Sequence, residues 1–337
     1  MNITIQNSLK EDRWSDFVQN HPDGNIFHTP EMFQVFNQTK GCSPQLWAAL
    51  NEERVLALLL PVHVTLLDKP LFRRFTTRSV AYGSVLCVPG EEGDAALSEL
   101  LQAYTADAKH TTLFTELRNL SDLTPCQPAL QKHGFIYEDH LNYLINLDRP
   151  TEEIMQSFSR RTRKKIRREL KRDKVVVKQA TQQSEVDVCY ALLQQTYKAV
   201  RVPLTDRSLF EAAFDVLGPK DMIRFTLAYV DDSPAAVSVD LFFKGVLYGW
   251  FGGLDRAFRS YLPNELLTWH LIQWGAGNGF HTLDFGGAGK PDEEYGVRDF
   301  KAKFGGDLVC YGRNICVHSP FSLSLSKLGY QIFRGSF

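Results

Sequence analysis

Two stretches of this sequence, about 170 residues apart, repeat the same succession of patterns, and that echo restricts the chain to folds made of two similar halves. In the first, Leu97–Lys109 has the apolar spacing of a helix and runs into His110–Phe114, which reads as a strand. In the second, Asn264–Ala276 has the same character and leads to a strand over Gly279–Phe285. A hairpin signal lies upstream of each helix: Leu46–Leu60 around Asn51-Glu52-Glu53, and Phe225–Phe243 around Asp231-Asp232-Ser233-Pro234. A further pair of strands follows each, at Phe135–Leu147 and Leu308–Val317. The expected fold class is α+β, as two tandem units with antiparallel strands and a helix after the central ones.

The boundary is expected at Asp148-Arg149-Pro150, because an alternating strand ends there and Thr151-Glu152-Glu153 opens a helix. This places residues 1–150 in the first unit and 151–337 in the second. No long Gly/Ser linker separates them. The longest charge-free apolar run, Val55–Leu67, is interrupted by Pro61 and His63 and falls short of the roughly 20 residues of a membrane-spanning helix, so it reads as buried strands. The segment MNITIQNSLKEDRW shows no secretory pattern. The six cysteines are scattered with no CxxC, which suits a reducing cytoplasm, and the nine histidines form no HExxH or HxH cluster. No metal is expected.

The net charge of -1 conceals an asymmetry. Ser159–Lys174 (SRRTRKKIRRELKRDK) holds ten basic residues against Glu169 and Asp173, which leaves the rest of the chain at -9. On a helix, Ile166 and Leu170 would share an apolar stripe while Arg160, Arg161, Arg163, Lys164, Lys165, Arg167 and Arg168 cover the other faces. Such a density of like charge is self-repelling, and an anionic partner relieves it: nucleic acid, a phosphorylated precursor or an anionic membrane surface. The plainer reading is a solvated helix face.

The densest motif is Leu283–Gly306, LDFGGAGKPDEEYGVRDFKAKFGG. Its glycines fit neither GxGxxG nor GxxxxGK[ST], so a nucleotide fold is not indicated. Phe300 and Phe304 lie four apart on one helical face, and Gly305 reads as a helix stop. Lys301 would point away from that stripe, and its plain reading is a surface ammonium.

With these residues in view, the chain resembles the Fem-type (FemABX-like) aminoacyl-tRNA-dependent transferases, which add amino acids to peptidoglycan precursor peptides in bacteria. It looks most similar to the short, FemX-like members. Four blocks carry the resemblance: His21–Phe36 (HPDGNIFHTPEMFQVF), Tyr82–Val85 with its flanks, Phe158–Val177, and Tyr248–Lys303 with YGWFGGLD, DFGG and the F-K-x-x-F-G element. The resemblance implies two acetyltransferase-like (GNAT) domains, with the acceptor on the first, and a cytoplasmic enzyme without cofactor. It implies that Phe300 and Lys301 lie at the transfer site, that Arg207 meets precursor phosphates, and that Tyr248, Trp250 and Tyr82 line the substrate cleft. Its partners would be a charged tRNA and a UDP-linked or lipid-linked peptidoglycan precursor. The helical coiled-coil arm of larger members is not expected, since no sustained heptad occurs. Where some relatives have a lysine in a W-x-K pattern, this chain reads QVFNQTK over 34–40.

The amino acid on tRNA is already an activated ester, so an enzyme of this kind positions an amine and stabilises an oxyanion. Lys301 would supply the charge and Phe300 a packing surface for the terminal adenosine or the substrate. Asp284 and Asp299 are the candidate bases, and proton transfer assisted by the substrate itself is the alternative. The rival donor is acyl-CoA, as in transferases that act on surface polysaccharides. The corresponding loop, Arg259-Ser260-Tyr261-Leu262-Pro263-Asn264-Glu265, keeps an arginine but lacks the glycines of a pyrophosphate loop. A second rival is a non-enzymatic RNA- or anion-binding module. Contact of the basic helix with a membrane surface is compatible with its charge and not required by it.

Overall fold

In the computed structural model, which describes residues 2–65 and 75–324, every repeated element of the sequence has a counterpart. Both hairpins form, as the antiparallel pairs Trp47–Asn51 with Arg54–Leu59 and Ile223–Val230 with Ser233–Phe243. Both helices form and extend past the periodic residues that identified them, as Glu91–Thr111 and Pro263–Gly277. Each is followed by a strand parallel to an earlier one: Phe114–Arg118 lies beside Thr77–Ala81, and Thr282–Gly287 beside Val246–Leu254. The first of these strands starts at Phe114 rather than His110, because the helix runs on through Thr111. Of the Val55–Leu67 run, residues 55–59 and 62–65 are strand, and Leu66 and Leu67 lie outside the described residues. No helix among the described residues is long and apolar enough to cross a membrane.

The strand pairs expected at Phe135–Leu147 and Leu308–Val317 do not close on themselves. Instead, Ile136–Glu138 pairs with Arg313–Val317, and Leu141–Asn146 pairs with Asp307–Cys310. The chain passes from one unit to the other between Asp139 and His140 and returns between Cys310 and Tyr311. The units are therefore Met1–Asp139 with the segment from Tyr311, and His140–Cys310. A cut at 150 would remove Leu141–Asn146 from between its neighbours Thr282–Gly287 and Asp307–Cys310, so the sequence-based boundary is displaced by one strand at each crossing.

The first unit has a four-stranded sheet in the order Ile3–Gln6, Trp47–Asn51, Arg54–Leu59, Val85–Cys87. Its six-stranded sheet runs Cys42–Pro44, Val62–Thr65, Thr77–Ala81, Phe114–Arg118, Arg313–Val317, Ile136–Glu138. The helix Glu91–Thr111 buries Leu97, Leu100, Leu101, Tyr104 and Ala108 in one core that receives residues of both sheets.

The second unit is built on one seven-stranded sheet: Val175–Gln179, Ile223–Val230, Ser233–Phe243, Val246–Leu254, Thr282–Gly287, Leu141–Asn146, Asp307–Cys310. The helix Pro263–Gly277 packs Leu266, Trp269 and Ile272 with Leu247, Leu283 and Ile145, residues that share one sheet face by their alternation along the strands. Leu241, Tyr248 and Asp284, cross-strand neighbours in register, fall on the opposite face.

Candidate active site

The parallel strands Val246–Leu254 and Thr282–Gly287 are in register at only three positions, ending at Tyr248 opposite Asp284. Just beyond this point the backbone turns at Gly286, which has a left-handed φ of 78°. A Cβ there would stand 3.2 Å from the Gly249 carbonyl oxygen and 3.5 Å from the Lys301 ammonium. Only glycine accommodates both the φ and the approach. Asp284 is almost wholly buried and accepts hydrogen bonds from the Gly286 N–H at 2.8 Å and from Asn142 Nδ2 at 3.3 Å and 3.4 Å. Burial raises its carboxyl to about 6, although the Gly286 N–H, the Lys301 charge and Asn142 all pull it down.

Lys301 is 8% exposed, so the reading of a surface ammonium is overturned. Its Nζ donates to the Gly287 carbonyl at 2.8 Å and lies 5.5 Å from the centre of the Phe285 ring. Burial lowers its pKa to about 8, with the Asp284 charge acting the other way. It faces inward because Phe304, three residues later, is anchored in the core. Fully buried, Phe304 meets the rings of Phe158, Phe285 and Phe300 at 5.2, 5.7 and 5.3 Å. The Phe304 N–H bonds to the Lys301 carbonyl at 3.0 Å, a turn that ties the two residues together. The helix itself is short, Gly296–Ala302, and the chain leaves it through Gly305 and Gly306, both left-handed. A Cβ at these two positions would fall 2.7 Å from Ser157 O and 2.5 Å from Leu144 O.

Tyr248 completes the group: burial first, and the Asp284 charge second, keep its hydroxyl protonated above the usual range. Phe300 is half-buried against Phe285 and Phe304, with the Lys303 ammonium 5.0 Å above its ring. Two contributors escaped the sequence reading. Asn142 sits in a strand whose pattern, LNYLIN, looked like ordinary alternation. Arg298 donates to the carbonyls of Ala288 (2.9 Å), Pro291 (3.0 Å), Lys290 (2.5 Å) and Glu293, holding the loop after the glycines. A charged residue inside the motif was the available signal.

The other expected site residues have these surroundings. Trp250 packs on Phe251 and Phe210 at 4.9 and 6.4 Å. Arg207 precedes the helix Ser208–Leu217 and is ion-paired with Asp187 and Glu211. Tyr82, in the first unit, stacks on Phe36 at 5.1 Å and Phe27 at 5.7 Å beneath the Arg118 guanidinium.

The basic segment is a helix, Arg160–Arg172, started by Ser159, whose hydroxyl accepts from the Thr162 N–H. Its inward face is Thr162, Ile166 and Glu169. Leu170 was expected in that stripe and is instead 49% exposed. Glu169 takes the inward position because Arg168 and Arg172 neutralise it, at 2.8 and 3.3 Å. Arg160, Arg163, Lys164, Arg167, Arg168 and Lys171 line a groove on the outer side; Arg161 and Lys165 lie outside it.

At the start of the helix Pro263–Gly277, Pro263 has no N–H to offer, and Glu265 in the first turn approaches Lys303 at 3.6 Å. Helix N-termini bind pyrophosphate through free N–H groups and positive potential, and here one donor is missing and a carboxylate is present.

Comparison with known proteins agrees with this architecture. Residues 156–301 match the family described as Acetyltransferase (GNAT) domain. No curated protein matches the sequence. Among solved structures, FemX has a TM-score of 0.72 at 16% identity, covering 97% of this chain and 99% of its own. A tandem GNAT protein from the clavulanic acid biosynthesis pathway reaches 0.58 at 12% identity, covering 95% and 99%. The C-terminal domain of a putative lysylphosphatidylglycerol synthetase from Agrobacterium fabrum reaches 0.56 at 13% identity, covering 95% of each. The chain thus has the fold of FemX and of the tandem GNAT protein, and the stretch that matches the acetyltransferase (GNAT) domain, residues 156–301, lies within its second unit.

Proposed function

We propose that the protein transfers an aminoacyl group from an aminoacyl-tRNA to an amine of a peptidoglycan precursor peptide, the precursor being UDP-linked or lipid-linked. The observation that carries this reading is the buried Lys301 ammonium beside Asp284 at the end of the parallel strand pair. The amine nitrogen attacks the ester carbonyl, a C–N bond forms, and the C–O bond to the tRNA ribose breaks, the departing ribose oxygen taking up a proton in place of the one the amine loses. Lys301 balances the negative charge that gathers on the carbonyl oxygen, in a site where low dielectric strengthens the effect. Asp284, buried and poised, takes the amine proton in preference to the exposed Asp299. The likeness in fold to FemX across nearly the whole chain supports the donor, as does the poor fit of the Pro263 helix start to a pyrophosphate.

The test is incubation with a UDP-muramyl-pentapeptide and mixed charged tRNAs, with and without RNase, read by mass spectrometry. A gain of one amino-acid mass that RNase abolishes supports the reading. A transfer that needs an acyl-CoA and ignores RNase replaces it with the CoA-dependent one. A salt-sensitive RNA complex without turnover replaces it with a binding module.

The pH dependence derives from the two buried groups. The active form has Asp284 ionised and Lys301 protonated, so kcat/KM falls below about 6, where the carboxylate takes up its proton, and above about 8, where the ammonium loses its own. A kcat/KM that stays level well below about 6 and well above about 8 would contradict the assignment.

The basic groove gives a second expectation. Replacing Arg160, Lys164 and Lys171 by glutamine leaves the pairs of Glu169 in place. It should weaken tRNA binding and make the slope of log K against log salt shallower by about two, since each phosphate contact contributes about 0.7–0.9. An unchanged slope in a filter-binding titration would remove the helix from the tRNA path.

A further inference from the structure

The six-stranded sheet of the first unit carries a cluster of charge that no step above uses. Arg78 lies on Thr77–Ala81, Glu116 and Arg118 on Phe114–Arg118, and Arg313 on Arg313–Val317, three strands that are consecutive neighbours in the sheet. Val80 is in register with Glu116, and Arg118 with Arg313, so alternation puts all four charged residues on one face. The helix Glu91–Thr111 covers the other, where the Tyr104 hydroxyl meets Ser79 and Thr115. Arg118 and Arg313 both bond to the Glu116 carboxylate. Burial alone would raise that carboxyl, yet Arg118, Arg313 and Arg78 together hold it below the ordinary range. Glu138 stands opposite Arg313 on the next strand. Three guanidinium groups thus gather around the Glu116 carboxylate.

Two details separate this cluster from a closed ion-pair network. The Arg78 Nε–H is buried and has no hydrogen-bond partner among the described residues. A buried donor of this kind is rare, because it forgoes water without replacement. The Arg118 and Arg313 side chains nevertheless keep 32% and 29% of their exposure, so the cluster is reachable from solvent. Arg118 is also held from above, with its guanidinium 5.0 Å from the centre of the Tyr82 ring, itself fixed between Phe27 and Phe36. The donors are ordered in advance, three guanidinium groups surround one carboxylate, and one N–H lacks an acceptor among the described residues. Guanidinium groups set in this way match the oxygens of a phosphoryl group.

We propose that Arg78, Arg118 and Arg313 form a binding site in the first unit for a phosphate or diphosphate group. The site goes beyond the transfer chemistry assigned to Lys301, and it can be tested without any turnover, so either reading can fail alone. Calorimetric titration of the full chain with inorganic pyrophosphate should show saturable binding. Arg78→Gln or Arg118→Gln should weaken it by about tenfold or more, as expected for loss of a charge-assisted hydrogen bond. In the groove variant with Arg160, Lys164 and Lys171 replaced by glutamine, which removes that helix's own attraction for anions, a saturable component sensitive to Arg78 and Arg118 should remain. In the unsubstituted protein, pyrophosphate should also slow phenylglyoxal modification of the peptides holding Arg78 and Arg118, a readout that does not depend on any variant folding. UDP against a short-chain prenyl diphosphate then identifies the source: tighter binding of one names it, and equal binding assigns recognition to the diphosphate alone. Binding that survives both arginine substitutions, binding lost in the groove variant, or equal modification with and without pyrophosphate would each overturn the proposal.

Discussion

Lys301→Met is expected to lower kcat/KM for aminoacyl transfer by about 10²–10³-fold, the range seen when one preorganised oxyanion donor is removed. Methionine nearly matches the aliphatic stem, so little volume changes while the ammonium goes, with its bond to the Gly287 carbonyl and its place over the Phe285 ring. The loss should fall on kcat, because the charge interacts with an oxyanion present only in the transition state. It should also move the acid limb of the pH profile upward: without the neighbouring ammonium, Asp284 keeps the burial that raises its carboxyl and loses one of the charges that lower it. A variant that is folded by circular dichroism and retains more than about a tenth of the wild-type rate would exclude Lys301 from the charge-stabilising role.

The second large effect is one of stability. Removing residues from Tyr311 onward takes away Arg313–Val317, the strand between Phe114–Arg118 and Ile136–Glu138. With it go Asn314, which accepts from Asn119 at 3.0 Å and exchanges bonds with Gln127, and Cys316, a member of the core. Two rows of backbone groups and the side chains of Glu116, Asn119 and Gln127 lose their partners. The first unit should then fail to fold, since a domain holds only about 5–15 kcal/mol in reserve. The milder Asn314→Ala leaves buried amides unsatisfied and should cost about 2–4 kcal/mol. Hydrogen exchange resolved by peptide is the measurement, and protection in residues 114–118 that persists after the truncation would refute the pairing as described.

The fold was legible in the sequence where its signals are local. Helix periodicity, the turn at Asn51-Glu52-Glu53 and the turn at Asp231–Pro234 depend on near neighbours, and those elements formed close to where the pattern put them. Partner choice is not local. The stretch 135–147 carries two strand patterns in succession, and nothing in such a pattern says that the first will pair with Arg313–Val317 and the second with Asp307–Cys310. The site shows the same division. The glycines after Phe285 announced a close approach, and Gly286 makes one. Lys301 read as a surface residue because a charged head on an apolar stem usually is one. Its burial depends on Phe304 being seated in the core and on a carboxylate from a distant strand. Leu170 and Glu169 exchanged their expected places for a similar reason, since an apolar stripe does not register that two arginines can escort a carboxylate inward.

The exchange of strands also bears on the order in which the halves can mature during synthesis. Residues 1–139 leave the ribosome first, but their larger sheet lacks the strand that separates Phe114–Arg118 from Ile136–Glu138 until residue 317 has been made. The second unit, His140–Cys310, is continuous and complete before that strand appears. At about 5–20 residues per second the earlier half waits about 10–35 s with two strand edges open, a state that invites wrong pairing and the attention of chaperones. The part translated first is thus the part that finishes last.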